Sequence, residues 1–311
     1  MVNSGCVEYW VFFLSQLLDK KMESIGFLAH GFVIIDLVPS EEMQTARHIE
    51  ESLLDTINAE NSELFCTKYR CETKDDLFAV FSETKRRLKE QGEISYIHIE
   101  GHGSKESVKL PDGSMLPWTT IFEHFREINI LCRNNLFFSS GACQSAYAFN
   151  AATITQPSPV FGMLAPEQEV EAGGVLDGYI AFYKSLIRNE SLNDAFNAFA
   201  DATNGKQYAL IFSQLLFKKA AYKYIKQHCM GKGRKERLEN VLTQAVNSSG
   251  IPVKKARKHL KKELCKPQAM HLKRFHDTFM MIDKYPENRN RFEFDAVKFE
   301  RKVKSGELTI V

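Results

Sequence analysis

The sequence predicts an α/β protein: a mostly parallel sheet of about six strands flanked by helices, followed by a basic, mainly helical region. Three observations carry this expectation. Short apolar runs rich in β-branched and aromatic residues recur at 32–35 (FVII), 94–99 (ISYIHI), 136–138 (LFF) and 160–164 (VFGML), the composition of strands buried on both faces. Amphipathic helical stripes separate the early runs, so strand and helix alternate as in units joined by right-handed crossovers. Charge is unevenly spread: residues 213–275 hold 17 Lys/Arg against 3 Asp/Glu, a net +14, and because the whole chain is +2 the remainder carries −12. This shift divides the chain near Phe212, giving an N-terminal helix over 1–26, an α/β body over 27–212 and a basic extension over 213–311.

The length of 311 residues and a hydrophobic content of 44% suit one large domain with an appendage. The seven Cys include no CxxC pair. An odd count without a secretory signal leads us to expect free thiols in a reducing, cytoplasmic compartment. The apolar stretch 7–18 contains Glu8 and is too short to span a bilayer, so it is read as a packed amphipathic helix, with no membrane span. No metal or cofactor is expected: Cys66 and Cys71 are too widely spaced for a zinc knuckle, and His228-Cys229 lacks partners.

In chain order, the strand at 32–35 precedes a helix for which Ser40 is the expected cap, with Glu41 and Glu42 in its first turn. Its apolar stripe is Ala46, Ile49, Leu53 and Ile57. A second strand covers 64–69. Thr73 with Asp76 makes a capping-box start for a helix lined by Leu77, Phe81 and Leu88. The third strand ends at His102. A hairpin turns at Pro111-Asp112-Gly113, and Pro117 opens a helix with Trp118, Ile121, Phe122, Phe125 and Ile128 inward. The fourth strand ends at Cys143 and the fifth covers 160–164. Two helices follow, one introduced by Gly173 and Gly174, the other capped by Ser191, and 208–212 is the sixth strand. The pattern beyond is helical and basic, with a break at 248–252. No fold is assigned around Phe292, Phe294 and Phe299.

The chemistry concentrates at two strand ends. Glu100-Gly101-His102-Gly103 follows one strand and Ser139-Ser140-Gly141-Ala142-Cys143 the next. In a parallel sheet both ends lie on the ligand-binding edge. Cys143 is the candidate nucleophile. His102 would protonate a leaving amine and then activate water. The N–H groups of Gly103 and Cys143 would hold the oxyanion, while Gly141 and Ala142 keep the approach narrow. No third member of the set is identified. His98 alternates with Tyr96 and Glu100 inside the strand, so packing is its expected role. A lone His-Gly or Ala-Cys carries little, since a free Cys is usually a small buried hydrophobe; the signal is the pair at adjacent strand ends.

The blocks YIHIEGHG (96–103) and LFFSSGACQSA (136–146) resemble the two catalytic blocks of caspase-like cysteine peptidases (clan CD), in particular the CHAT branch, "caspase HetF associated with TPRs". The resemblance includes KLPDGSMLPW (109–118) and VFGMLAPEQEVEAGGVLDGYIAFYKSLIRNESLNDAF (160–196), and so covers roughly 31–212. It implies a caspase-like sandwich and an endopeptidase with catalytic roles at His102 and Cys143. By analogy it implies a protease of bacterial defence or cell death that cuts a protein substrate once an upstream activator or sensor protein signals. Ala165 precedes Pro166 where the family often has Trp, which makes Ala165, Pro166 and Glu167 the groove candidates. Members specific for basic residues often carry an acid two positions before the Cys, where this chain has Gly141, so no side-chain preference is assigned. Two other functions compete: nucleic-acid or acidic-partner binding by the basic extension, and a catalytically silent scaffold.

Overall fold

The computed structural model describes residues 29–203, 207–249, 252–264 and 267–310; the helix expected over 1–26 lies outside them. The chain divides into two compact units, one comprising 1–153 with 157–213 and the other 154–156 with 214–311.

In the first unit β1 (Gly31–Asp36), α1 (Thr45–Ala59), β2 (Phe65–Arg70), α2 (Lys74–Gln91) and β3 (Ser95–Glu100) alternate. A small antiparallel sheet of β4 (His102–Gly103), β5 (Ser107–Lys109) and β6 (Met115–Pro117) follows. Then come α3 (Trp118–Leu131), β7 (Phe137–Ser140), a 3-10 helix (Ser145–Ala151), β8 (Gly162–Pro166), α4 (Ala172–Asn189), α5 (Leu192–Thr203) and β9 (Tyr208–Phe212). The main sheet has the order β2-β1-β3-β7-β8-β9. It is parallel from β2 through β8, and β9 closes it antiparallel to β8.

Burial explains why these runs are strands. Every position of β1, β3, β7, β8 and β9 is buried, while the edge strand β2, with Lys68 and Arg70, is half-buried throughout. Such strands need cover on both faces. Helix α1 packs with α4, and α4 with α5; α2 packs with α3. Side chains alternate along β7 accordingly. Phe137 meets Tyr96, Phe161, Phe196 and Phe212, whereas Phe138 meets Trp118, Phe122 and Phe125. Each such ring contributes about 1.5–3 kcal/mol by leaving water.

Local signals mostly act where the sequence places them. Thr73 and Asp76 form a reciprocal capping box, and the Ser191 hydroxyl accepts from the Asp194 N–H. Four details differ. The fourth strand ends at Ser140, three residues short of Cys143, because the chain leaves β3 after the Gly141 N–H. Ser40 caps nothing: α1 starts at Thr45 with Gln44 before it, and the Ser40 hydroxyl donates to Glu41. The third strand stops at Glu100, and His102 belongs to the small sheet. The fifth strand is Gly162–Pro166, two residues later than expected.

The second unit is helical: α6 (Ser213–Tyr224, with Ser213 in the first unit), a π-helical turn (Ile225–Cys229), α7 (Gly231–Ser249), α8 (Val253–Leu264), α9 (Ala269–Phe279), α10 (Asn288–Arg291) and α11 (Ala296–Ser305). Of the unassigned aromatics, Phe292 is buried at the end of α10, and Phe294 and Phe299 join a cluster. Phe217, His276, Phe279, Phe294 and Phe299 form one cluster between α6, α9 and α11. Among the described residues no helix is long and apolar enough to cross a membrane.

Candidate active site

The carboxyl ends of β1, β3 and β7 face one edge because the strands are parallel neighbours. The Gly141 N–H still donates to Ile99 O at 2.9 Å, so β7 stays attached to β3 for one residue past its end. The chain then turns. The Ala142 N–H donates to Ser140 Oγ at 3.1 Å, and Ala142 O accepts from the Ser145 hydroxyl at 2.6 Å. Gln144 takes a left-handed conformation (φ 57°) and starts the 3-10 helix. Cys143 sits at the top of this turn. Among the described residues its N–H has no hydrogen-bond acceptor.

Gly103 shows how close the two loops come. A Cβ at this position would lie 2.8 Å from Cys143 O and 2.9 Å from Ala142 Cβ, so only glycine fits. The Ser104 N–H donates to Ser107 O at 2.8 Å, and Gly103 is the next paired position, opposite Val108. Bonded and non-bonded positions alternate in an antiparallel pair, so the Gly103 N–H points out of the small sheet. The His-Gly and Ala-Cys loops therefore meet, with two backbone donors at their meeting point.

The two reactive side chains have other partners. His102 is half exposed, and its Nε2 lies 2.7 Å from Glu42 Oε2. Cys143 Sγ accepts from the Val170 N–H at 3.5 Å and lies 3.9 Å from Val170 O. The Gln144 N–H donates to Gln168 O at 3.2 Å. The segment after β8 thus runs along the nucleophile turn.

Beneath the turn lies a buried polar group. A Cβ on Gly141 would fall 2.2 Å from Glu100 Oε1. The Glu100 carboxylate contacts His98 Nε2 at 2.7 Å and accepts from the Thr45 hydroxyl at 2.6 Å. His98 Nδ1 in turn reaches Ser139 Oγ at 2.7 Å and the Tyr183 hydroxyl at 2.8 Å. Burial pushes the Tyr208 phenol up to about 12, and the charges of Glu100 and Cys143 push the same way. Burial likewise raises the phenols of Tyr179 and Tyr183 well above their usual range.

The groove candidates fare unevenly. Ala165 and Pro166 lie inside β8, opposite Ala209 and Tyr208, and both are buried; the fully enclosed Ala165 side chain cannot line a groove. Glu167 is half-buried, with its N–H given to Gln207 O at 2.7 Å. His98 is buried, as expected, but it is a member of a hydrogen-bonded chain rather than a packing residue alone. Sequence reasoning missed Glu42, Glu100 and Val170. The usable signal for Glu42 was its position: an acid on the loop after the strand that neighbours β3. Among the described residues no group of three or more His, Cys, Asp or Glu is arranged to hold a metal ion.

No protein-family model matches the chain, and no curated protein matches it either.

Proposed function

We propose that the chain is a cysteine endopeptidase of caspase-like type with its active centre at Cys143 and His102. The observation that carries this reading is the seating of Gly103 directly against Ala142 and Cys143, which joins the two loops at the ends of adjacent parallel strands. The six-stranded, mostly parallel sheet with its helices supports the sandwich architecture that the resemblance implies.

The chemistry follows from the residues. Cys143 acts as thiolate, its proton held by His102. Sulfur attacks the peptide carbonyl carbon, a C–S bond forms, and the π electrons move to oxygen. The Gly103 and Cys143 N–H groups receive that oxyanion. Collapse expels the amine, which takes the proton from His102 and leaves a thioester. His102 then removes a proton from water, water attacks the thioester, and the thiolate departs. Glu42 keeps the imidazole oriented and stabilises its charged form, the part a third residue plays in such sets.

In the resting arrangement the thiol is paired with the Val170 backbone. This supports an enzyme held quiet until an activator or a cut, for instance within 155–159, rearranges the segment after β8. A role in bacterial defence or cell death is the corresponding biological proposal. A peptidyl chloromethyl ketone library tests the reading. The account expects adducts on Cys143 that are lost in His102→Ala. Equal labelling in both proteins would remove the dyad.

One observation favours a second activity. Lys254, Lys255, Lys258, Lys261 and Lys262 on α8 are all exposed, a surface suited to phosphates or to an acidic partner. A steep fall of nucleic-acid binding with salt would support it.

A further inference from the structure

We propose that Glu100 is a positioning residue that couples the loop carrying Glu42 to the loop carrying Cys143. The inference rests on the dyad reading above and adds a residue that does not touch substrate. Three contacts define it. The Glu100 backbone carbonyl accepts from the Leu37 N–H at 2.8 Å, where the loop after β1 begins. Its Oε2 accepts from the hydroxyl of Thr45, where that loop ends and α1 begins. Its Oε1 fills the space that a Gly141 side chain would need, two residues before Cys143. One residue therefore fixes both ends of the segment that presents Glu42 to His102, and also occupies the space beneath the nucleophile turn.

The carboxylate is itself held. His98 Nε2 bonds Oε1, and the His98 ring is held by Ser139 Oγ and the Tyr183 hydroxyl. Glu100 is 4% exposed, so these bonds act where water does not compete. The ionisable groups that face it are His98 on its own strand, Tyr179 and Tyr183 from α4, and Tyr208 from β9. An ordinary core residue at this position would pack equally well but could not bond Thr45. A bulkier residue at 141 would expel the carboxylate. The sequence Glu100-Gly101-His102 with Gly141 is thus one device: an acid reaching under the turn, and a glycine that makes room for it.

The test follows alkylation of Cys143 by iodoacetamide in the full chain, mapped by mass spectrometry across pH, in wild type and in Thr45→Val, His102→Ala, Glu42→Gln and Thr45→Val/Glu42→Gln. Thr45→Val is the main variant because it is small, conserves shape and leaves the buried carboxylate bonded to His98. The expected result is a fall in the neutral-pH alkylation rate of roughly tenfold, well below the full contribution of a general base. The pH profile of Thr45→Val should match that of Glu42→Gln, and the double variant should be no slower than Glu42→Gln alone. An unchanged profile in folded Thr45→Val, or additive losses in the double variant, would overturn the coupling. If Glu42→Gln and His102→Ala also leave Cys143 alkylation unchanged, the dyad falls together with it. If those two variants act and Thr45→Val does not, only the coupling falls.

Discussion

In the first unit the buried ionisable side chains Glu100 and His98 are bonded to each other and to hydroxyls of Thr45, Ser139 and Tyr183, directly below the edge where β3 and β7 end. In the second unit His276 is buried between Phe217 and Phe294 with Nδ1 3.8 Å from Asp277 Oδ1, and among the described residues its Nε2 has no hydrogen-bond partner. The first arrangement fixes geometry: each polar atom restrains the next, and the chain leads to the candidate nucleophile. The second positions no reactive group. This imidazole makes the unit sensitive to acid, because the water its charged form loses on burial outweighs the attraction of Asp277. The bonded chain below the candidate site restrains that edge of the sheet, whereas the buried imidazole of His276 weakens the helical unit at low pH.

Four outcomes would sharpen or break this contrast. The largest concerns Gly103→Ala. The added Cβ meets Cys143 O and Ala142 Cβ, so the N–H proposed as an oxyanion donor is displaced and cleavage should fall by about 10²-fold or more, with circular dichroism unchanged. Next is the acid sensitivity of the second unit. Burial holds His276 down to about 4 against an ordinary 6.5. The unfolded chain therefore takes up this proton first, and stability is lost as pH falls from 6.5 toward 4, by about 3 kcal/mol in all. Differential scanning calorimetry of His276→Phe should show that loss removed, and equal acid sensitivity in both proteins would refute the assignment. Glu42→Gln should lower kcat about tenfold with little change in KM, since it orients the base without binding substrate. The smallest effect on cleavage belongs to Lys258→Glu with Lys261→Glu. Peptide cleavage should not change, while the slope of log binding constant against log salt for a DNA duplex should fall by about 2. A drop in cleavage here would break the separation of roles between the units.

Much of the architecture could be read from short-range patterns. Apolar runs gave the strands because both faces of the sheet are covered, and the Thr73–Asp76 capping box was visible because its bonds span three residues. Ser40 is not the cap for a physical reason: the loop after β1 continues to Gln44, whose amide donates to Pro39 O and Glu42 O and ties the turn ahead of the helix. Long-range partners left no local trace. The bond from Thr45 to Glu100 spans 55 residues and that from Glu42 to His102 spans 60. Ala165 is a groove candidate by the family's Trp-Pro position in a loop after a strand ending at Leu164, but the strand runs on to Pro166 and the Ala165 side chain is fully enclosed. The cluster of Phe217, Phe294 and Phe299 was unreadable because its members lie on three separate segments.

The most direct test of the central claim is a side-by-side incubation of wild type and Cys143→Ala with a diverse peptide library, after limited proteolysis to relieve the Val170 contact, read by mass spectrometry. The account predicts cleavage by wild type alone, at bonds that share one side-chain preference. The same cleavages in Cys143→Ala would contradict it.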